Sequence, residues 1–589
     1  MNIYKSGLKL IIFFIFYFAL NSISAQEYPK DYFCNPLKIP IYLSGSFSEL
    51  RTNHFHSGID IKTEGRKGLK VVAVADGYVS RIKVSPYGFG KALYINHPNG
   101  FTSVYAHLSA FSDEIESFVK KNQYYKKKYA IQLYPSKKKF VFKKGELIGL
   151  SGNSGSSHGP HLHFEIRDTK SEWTINPLNF GLEITDEIKP EIRRIKLYPV
   201  NESFVVKVTY YGKESTYSKF YYDEFVLRVS KSNGNYILRG VKSISVNGAF
   251  KLAIEAYDKM NNSYSTLGVY NILLKVNDKN IFKEKFNTFS FANSRYINAH
   301  IDYAEKVHKK RKFQRLFLLP NNKLPFYETV NNNGKIITEF GKENQINIFV
   351  EDFSGNMSML QFKVNGEDLE SNRQNLNDES YRKLFSFKEA NYFYNDEINL
   401  FAFPNTFYDD LKFKYRSKEG NSNTYSKLHI IHKNDVPVHK RYILKIKIQN
   451  LPEKYKDKAY IAVKYGKSSY SYLGGDFENG WIETKVREFG TFCVVVDSVD
   501  AVVKALNFKN GGYVSSRNEI RLKIYDKQSG ISSYNGYIDG KWVLMEYDAK
   551  YNLLKHKFDS RTSTGKHILK IVVKDKCGNK KVSEFDFVR

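Results

Sequence analysis

Gly159-Pro160-His161-Leu162-His163-Phe164-Glu165 sets two imidazoles one residue apart in a short run of mixed apolar and polar character. Alternate residues of a strand share a face, so this spacing points both rings one way and sends Leu162 into the opposite packing layer. The stretch predicts a strand over residues 161–167. Working outward, two more histidine phrases fall in the same region. His56-Ser57-Gly58-Ile59-Asp60 sets an imidazole and a carboxylate four residues apart, around a glycine that permits a tight path from turn into strand. Tyr105-Ala106-His107-Leu108 closes a strand with a further histidine. Half of the 14 histidines lie between His54 and His163. Neutral imidazole with carboxylate is a favoured donor set for a zinc ion that keeps one position for water.

The surrounding text reads as antiparallel β-structure. Strands are expected over 70–75, 78–84, 92–97, 102–107 and 145–150, with Asp76-Gly77 and Pro98-Asn99-Gly100 as turns. Residues 112–144 interrupt this pattern. They are lysine-rich, with a short helix expected over 114–120, and read either as a solvated surface insertion or as a flap beside the site.

Each phrase alone is common; together they resemble the lysostaphin/LytM-type zinc metallopeptidases, which cut peptide cross-links of bacterial peptidoglycan. The matching text also includes Val72-Ala73-Val74-Ala75-Asp76-Gly77 and Lys144-Gly145-Glu146-Leu147-Ile148-Gly149. The resemblance covers about a quarter of the chain. It implies zinc held by His56, Asp60 and His163, with His107 and His161 beside the bound water as catalytic groups. Three ligands leave a fourth position for water, whose pKa falls to roughly 7. One imidazole would stabilise the oxyanion and the other relay the proton; the sequence leaves open which does which. There is no His-Glu-x-x-His helix, so a glutamate base of that kind is not the expectation. Two departures stand out: the long insertion after His107, and Ser156-Ser157-His158-Gly159, where the family commonly has a Thr-Gly-like spacing. Glu165 shares the histidine face, either to orient a ligand or to form a surface or salt-bridge contact. His54 and His158 read as spectators, His97 as a strand end, and Cys34 as a buried thiol rather than a metal cap.

At 589 residues the chain is too long for one core, and about three to five domains are expected. An aromatic content of 15%, mostly Tyr and Phe, favours strands over helical bundles. The expected fold is all-β: an antiparallel metallopeptidase domain followed by several β-sandwich, immunoglobulin-like modules. Lys5 and Lys9, an apolar run over 10–20 and Ser24-Ala25 predict a signal peptide at 1–25. That run is too short to span a bilayer, and no later stretch is apolar enough. The peptidase domain is expected at 26–183, β-modules at 184–280 and 281–370, a β-rich module without a clean repeat at 371–492, and an immunoglobulin-like module at 493–589. The tail repeats strand-ending turns at Asp258…Asn262, Asp352…Asn356 and Asp575…Asn579, which resemble the last hairpin of sandwiches in bacterial exported proteins. Turn geometry alone accounts for Asp, Gly and Asn there, with calcium binding as the alternative.

Three cysteines are too few for a disulfide scaffold; Cys493 and Cys577 are the expected pair. The net charge of +30 comes from lysines scattered along the chain and reads as proteome bias or attraction to an anionic wall. Nucleic acid is excluded for want of any binding motif. These readings converge on an exported zinc metalloendopeptidase of the periplasm or cell surface, acting on peptidoglycan, with β-modules as candidates for wall or surface glycan binding. The alternative is a non-catalytic regulator of other wall hydrolases.

Overall fold

The computed structural model describes residues 28–200, 204–211, 213–218, 225–369, 382–466 and 469–589. The expected signal peptide lies outside them. Antiparallel strands dominate, and only one helix among the described residues is longer than seven residues.

The histidine phrases sit on a central sheet. Its strands are β1 (Leu43–Gly45), β2 (Ile59–Lys62), β3 (Gly77–Val84), β4 (Lys91–Asn96), β5 (Phe101–Leu108), β6 (Ile131–Leu133) and β7 (His161–Asp168), in the order β1-β2-β7-β5-β4-β3-β6. Alternation explains β7: Leu162, Phe164 and Ile166 enter the apolar core, while His163, Glu165 and Arg167 are buried on the other face. Burial on both faces is unusual for so polar a strand, and it forces those side chains to satisfy one another.

The insertion is not a solvated excursion. Helix α1 runs over Asp113–Lys126, longer than expected, with Ile115 and Val119 buried. The chain then returns to pair β6, and Val141–Phe142 after it, with β3.

The tail is fused to this domain. Phe55, next to His56, is 1% exposed and packs against Phe286, Phe289 and Phe326. Thr174–Ile175 pairs with Thr288–Phe289, and one apolar core runs through both parts. The boundary expected at 280/281 falls inside one strand network, since Asn271–Val276 pairs with both Lys279–Lys285 and Glu343–Glu351. Separate cores follow at 385–494 and 501–587. The boundary expected at 492/493 cuts the strand Gly490–Val496, which pairs with Leu428–Ile431 and Ala459–Tyr465. Cys493 therefore belongs to the earlier module and Cys577 to the last. Both are free thiols that line one small apolar cluster, so the expected disulfide is absent from this structure.

The last module has two sheets around one core and folds back onto the first domain. Asp559 pairs with Lys120 of α1 at 2.8 Å, and Trp542 meets Tyr124 edge to face at 5.4 Å. No helix of the described residues is long and apolar enough to cross a membrane.

Candidate metal centre

Strands β2 and β7 are antiparallel neighbours with Asp60 directly opposite His163. Cross-strand partners share a face, so carboxylate and imidazole meet by register alone. Asp60 Oδ1 lies 2.9 Å from His163 Nδ1 and 3.0 Å from His56 Nε2, and the two nitrogens are 3.0 Å apart. His56 arrives from the turn before β2, whose path depends on Gly58. A Cβ there would stand 2.2 Å from the Phe164 carbonyl oxygen, so any other residue would push the turn off β7.

Hydrogen bonds behind the rings assign their tautomers. His56 Nδ1–H donates to the Ser46 carbonyl at 2.8 Å, leaving Nε2 as the inward lone pair. His163 Nε2–H donates to Glu165 Oε1 at 2.9 Å, leaving Nδ1 inward. Glu165 is fully buried, accepts from Ser57 Oγ, and accepts from Arg167 Nε at 2.6 Å. It both orients His163 and forms an ion pair, so the surface reading of Glu165 does not hold. Asp60 Oδ2 accepts from Arg51 at 2.6 Å, a partner the motifs gave no sign of.

Electrostatics follow from this packing. Burial lowers His56 to about 4, despite Asp60 beside it. Burial also opposes charge on His163, but hydrogen bonds to Asp60 and Glu165 outweigh it and raise the ring to about 9. A proton on His163 and a cation at the centre compete for the same nitrogen. Two imidazole nitrogens and a carboxylate oxygen pointing at one spot form a donor set that fits a divalent transition metal.

His107 reaches the site by an irregularity. The β4–β5 register slips between Lys91 and Leu93, so Ala106 and His107 oppose Ala92 alone. His107 takes φ +61°, left-handed for a non-glycine residue. Such a bulge re-aims a side chain, here turning the ring toward the metal face, which plain alternation would deny it. Its Nδ1–H donates to the Ser154 carbonyl at 2.8 Å. Burial, then His163 and His161, lowers it to about 3, so it is neutral at pH 7. His161 Nδ1–H donates to the Gly159 carbonyl at 2.9 Å. Its Nε2 is buried without a hydrogen-bond partner, 3.4 Å from Asp60 Oδ1. The two rings stand 4.8 Å apart, centre to centre. Residues 151–159 thus seat both, through backbone carbonyls that no side-chain motif announces.

The structure brings all five expected residues together. His54 and His158 are exposed; His97 is tied to the Asp76 carbonyl and Ser103; the Cys34 thiol faces the Ala73 carbonyl at 3.8 Å. Sequence reasoning missed Arg51, Ser46, Phe89 (ring 4.9 Å from His163) and Lys550. Lys550, from the last module, donates to the carbonyls of Asn153 at 2.5 Å and Ser157 at 3.0 Å.

Residues 54–125 match Peptidase family M23. The chain carries an M23 peptidase domain. The family match holds His56, Asp60 and His107 and stops short of β7. A second match, to a Zu5-like domain, covers residues 382–497 of the tail. The M23 region is similar to the DD-carboxypeptidase/endopeptidase Mpg of Neisseria meningitidis serogroup B, 35% identical over 133 residues, which are 23% of this chain and 24% of that protein. An uncharacterized metalloprotease of Haemophilus influenzae is 34% identical over 22% of this chain and 21% of its own length. The peptidoglycan DD-endopeptidase ShyA of Vibrio cholerae is 32% identical over 19% of this chain and 20% of its own. The chain thus spans a quarter or less of the length of these relatives. Among solved structures, the catalytic domain of lysostaphin from Staphylococcus simulans aligns at 22% identity and a TM-score of 0.18, covering 24% of this chain and 92% of that one. The M23 family and the metalloprotease name imply a metal, and the donors of β2 and β7 fit one.

Proposed function

We propose that the chain is an exported zinc metalloendopeptidase that hydrolyses peptide cross-links of bacterial peptidoglycan. The observation that carries this reading is the meeting of His56 Nε2, Asp60 Oδ1 and His163 Nδ1, with His107 and His161 beside them, each held by Nδ1, and His161 Nε2 without a hydrogen-bond partner. Zinc held by the three donors would supply a Lewis acid and lower the pKa of a water to roughly 7. The chain's own residues do the rest. His107, neutral at pH 7, and His161, with its unpartnered Nε2, are the two groups placed to move protons. One accepts the proton of the attacking water and passes it to the leaving amine; the other hydrogen-bonds the oxygen that gains charge. The Ser154 and Gly159 carbonyls accept from both Nδ1–H groups and so turn each Nε2 toward the site. The ring that takes the water's proton uses Nε2 as a lone pair, whereas the ring that bonds the oxyanion donates only once its Nε2 carries a proton. Glu165 and Arg167 keep His163 aimed at the centre.

The N-terminal pattern and the relatives named as DD-endopeptidases support export and a wall substrate. The module at 501–587, with its paired sheets, fits an immunoglobulin-like element, and we assign the tail modules to wall binding or spacing. The test is digestion of murein sacculi by the chain lacking residues 1–25, with and without a chelator. Metal-dependent release of new amines is expected, and mass spectrometry of the fragments names the bond. Stoichiometric zinc with no new amines would return the protein to the regulator class.

A further inference from the structure

Three carboxylates meet where the M23 domain joins the strand network that follows it. Asp186 stands in the connecting segment, Asp258 directly follows Ala249–Tyr257, and Asp352 directly follows Glu343–Glu351. One oxygen from each lies within 4.8 Å of the others. Asp258 is 5% exposed, and its Oδ1 is buried with no hydrogen-bond partner. No lysine or arginine among the described residues neutralises the group; Lys259, next in the chain, pairs with Glu191 instead at 3.3 Å. A cavity of about 30 Å³ opens beside Asp186 and Asp258, lined also by Ser46, Gly268 and Ser354. That is room for one water or one ion.

We propose that this cluster binds a calcium ion. Local turn geometry accounts for Asp352, whose carboxylate accepts from the Asn356 backbone at 2.8 Å and from Asn356 Nδ2 at 2.7 Å. Asp186 Oδ1 likewise accepts from the Ile188 amide at 3.1 Å. Local turns account neither for the bare oxygen of Asp258 nor for the meeting of Asp186 with two carboxylates far along the chain. Buried charge without a partner is costly, and a hard cation with oxygen ligands removes the cost. Burial, then Asp352 and Asp186, lifts the Asp258 carboxyl to about 8, as crowded like charges should. Calcium suits an irregular, all-oxygen cluster that waters and carbonyls can complete; magnesium demands near-ideal octahedral geometry.

The arrangement recurs in a separately cored module. Asp497, Asp526 and Asp575 meet in the same way. Asn579 Nδ2 bonds Asp575 at 2.6 Å and the Asp497 carbonyl at 2.8 Å, as Asn356 Nδ2 bonds Asp352 and, at 3.0 Å, the Asp186 carbonyl. In both places an asparagine ties the connecting segment to the acidic turn.

The M23-proximal cluster also touches the segment behind the metal centre. Met260 Sδ accepts from the Leu43 amide at 3.0 Å, and Ser46, whose carbonyl holds His56, bonds the Gly268 amide at 2.9 Å. A cation here would brace β1 against the tail.

The test uses the zinc-loaded chain lacking residues 1–25, freed of calcium and titrated with Ca²⁺ alone by calorimetry and thermal melting. Binding is expected with a dissociation constant of about 10⁻³ M or tighter, together with a rise in Tm. Asp258→Asn should lose one equivalent of bound calcium and part of that rise. Above about pH 8 its calcium-free Tm should equal or exceed that of the unsubstituted chain, because there the swap removes a like charge; this separates loss of a ligand from misfolding. Its zinc content and cleavage of sacculi should be unchanged, so the result stands apart from the fate of the peptidase reading. Failure of calcium to raise Tm, a variant that binds as many ions as the parent, or an equal response to Mg²⁺ would each overturn the assignment.

Discussion

The two clusters, His56–Asp60–His163 and Asp186–Asp258–Asp352, both border the segment around Ser46 and differ in donor chemistry. The first mixes two nitrogens with one oxygen, and each ring is fixed from behind by a carbonyl or carboxylate. The second is all oxygen, with no such backing for Asp258. Nitrogen donors with two further imidazoles beside them, each held by Nδ1 on a backbone carbonyl, describe a place for a borderline metal and proton transfer. Three carboxylates at a junction, one with a bare oxygen, describe a hard cation that braces structure. A chain can thus keep a working metal and a structural one apart by donor type alone.

Chelators break or sharpen this contrast most strongly. A nitrogen chelator such as phenanthroline should abolish cleavage and leave calcium binding intact. A calcium-selective oxygen chelator should lower Tm and spare cleavage well below the melt. Reversal of the two patterns, read by amine release and melting curves, would erase the distinction.

Next in size, His107→Ala and His161→Ala should each lower kcat by about 10²- to 10⁴-fold with zinc content unchanged. Zinc loss in either variant would make it a ligand. Glu165→Gln should weaken metal affinity by about 10- to 100-fold, since it frees the His163 ring; competition with a zinc indicator checks this.

The shared core offers a stability test. Phe289→Ala, which removes the ring packed behind Phe55, should cost about 3–5 kcal/mol in denaturant unfolding. For the same reason, truncation at residue 183 should yield an unfolded domain, whereas truncation near 380 should not. A soluble, active 26–183 fragment would show that the tail is a passenger.

The smallest effect concerns pH. Burial lowers His300, 5.7 Å from Phe55, to about 4, with Gln314 and Arg315 as lesser influences and Glu284 Oε2 3.6 Å away. The unfolded ring, near 6.5, takes up a proton first as pH falls. The His300 contribution is therefore fully present above about 6.5 and is lost progressively toward 4. His300→Gln should flatten that part of the Tm–pH curve; an unchanged slope would assign it elsewhere.

The histidine phrases were legible as candidates because strand alternation is a property of short text, but which three of the five would hold a metal came only from the family resemblance. The approach of His107 was legible as a motif but not as geometry, since it depends on a bulge at Ala106–His107. Glu165 read as ambiguous because burial of a polar face depends on what covers it. The module boundaries at 280 and 492 failed where strands pair across them, and no local pattern records such pairing. The acidic turns read as turns because Asp186 joins them only after folding.

The central claim is tested most directly by zinc-dependent cleavage of a defined, cross-linked muropeptide dimer by the chain and by His163→Ala. The account predicts one new amine per dimer from the zinc-loaded chain, none after zinc removal, recovery on zinc return, and none from the variant. Equal cleavage by the metal-free chain, or by His163→Ala, would contradict it.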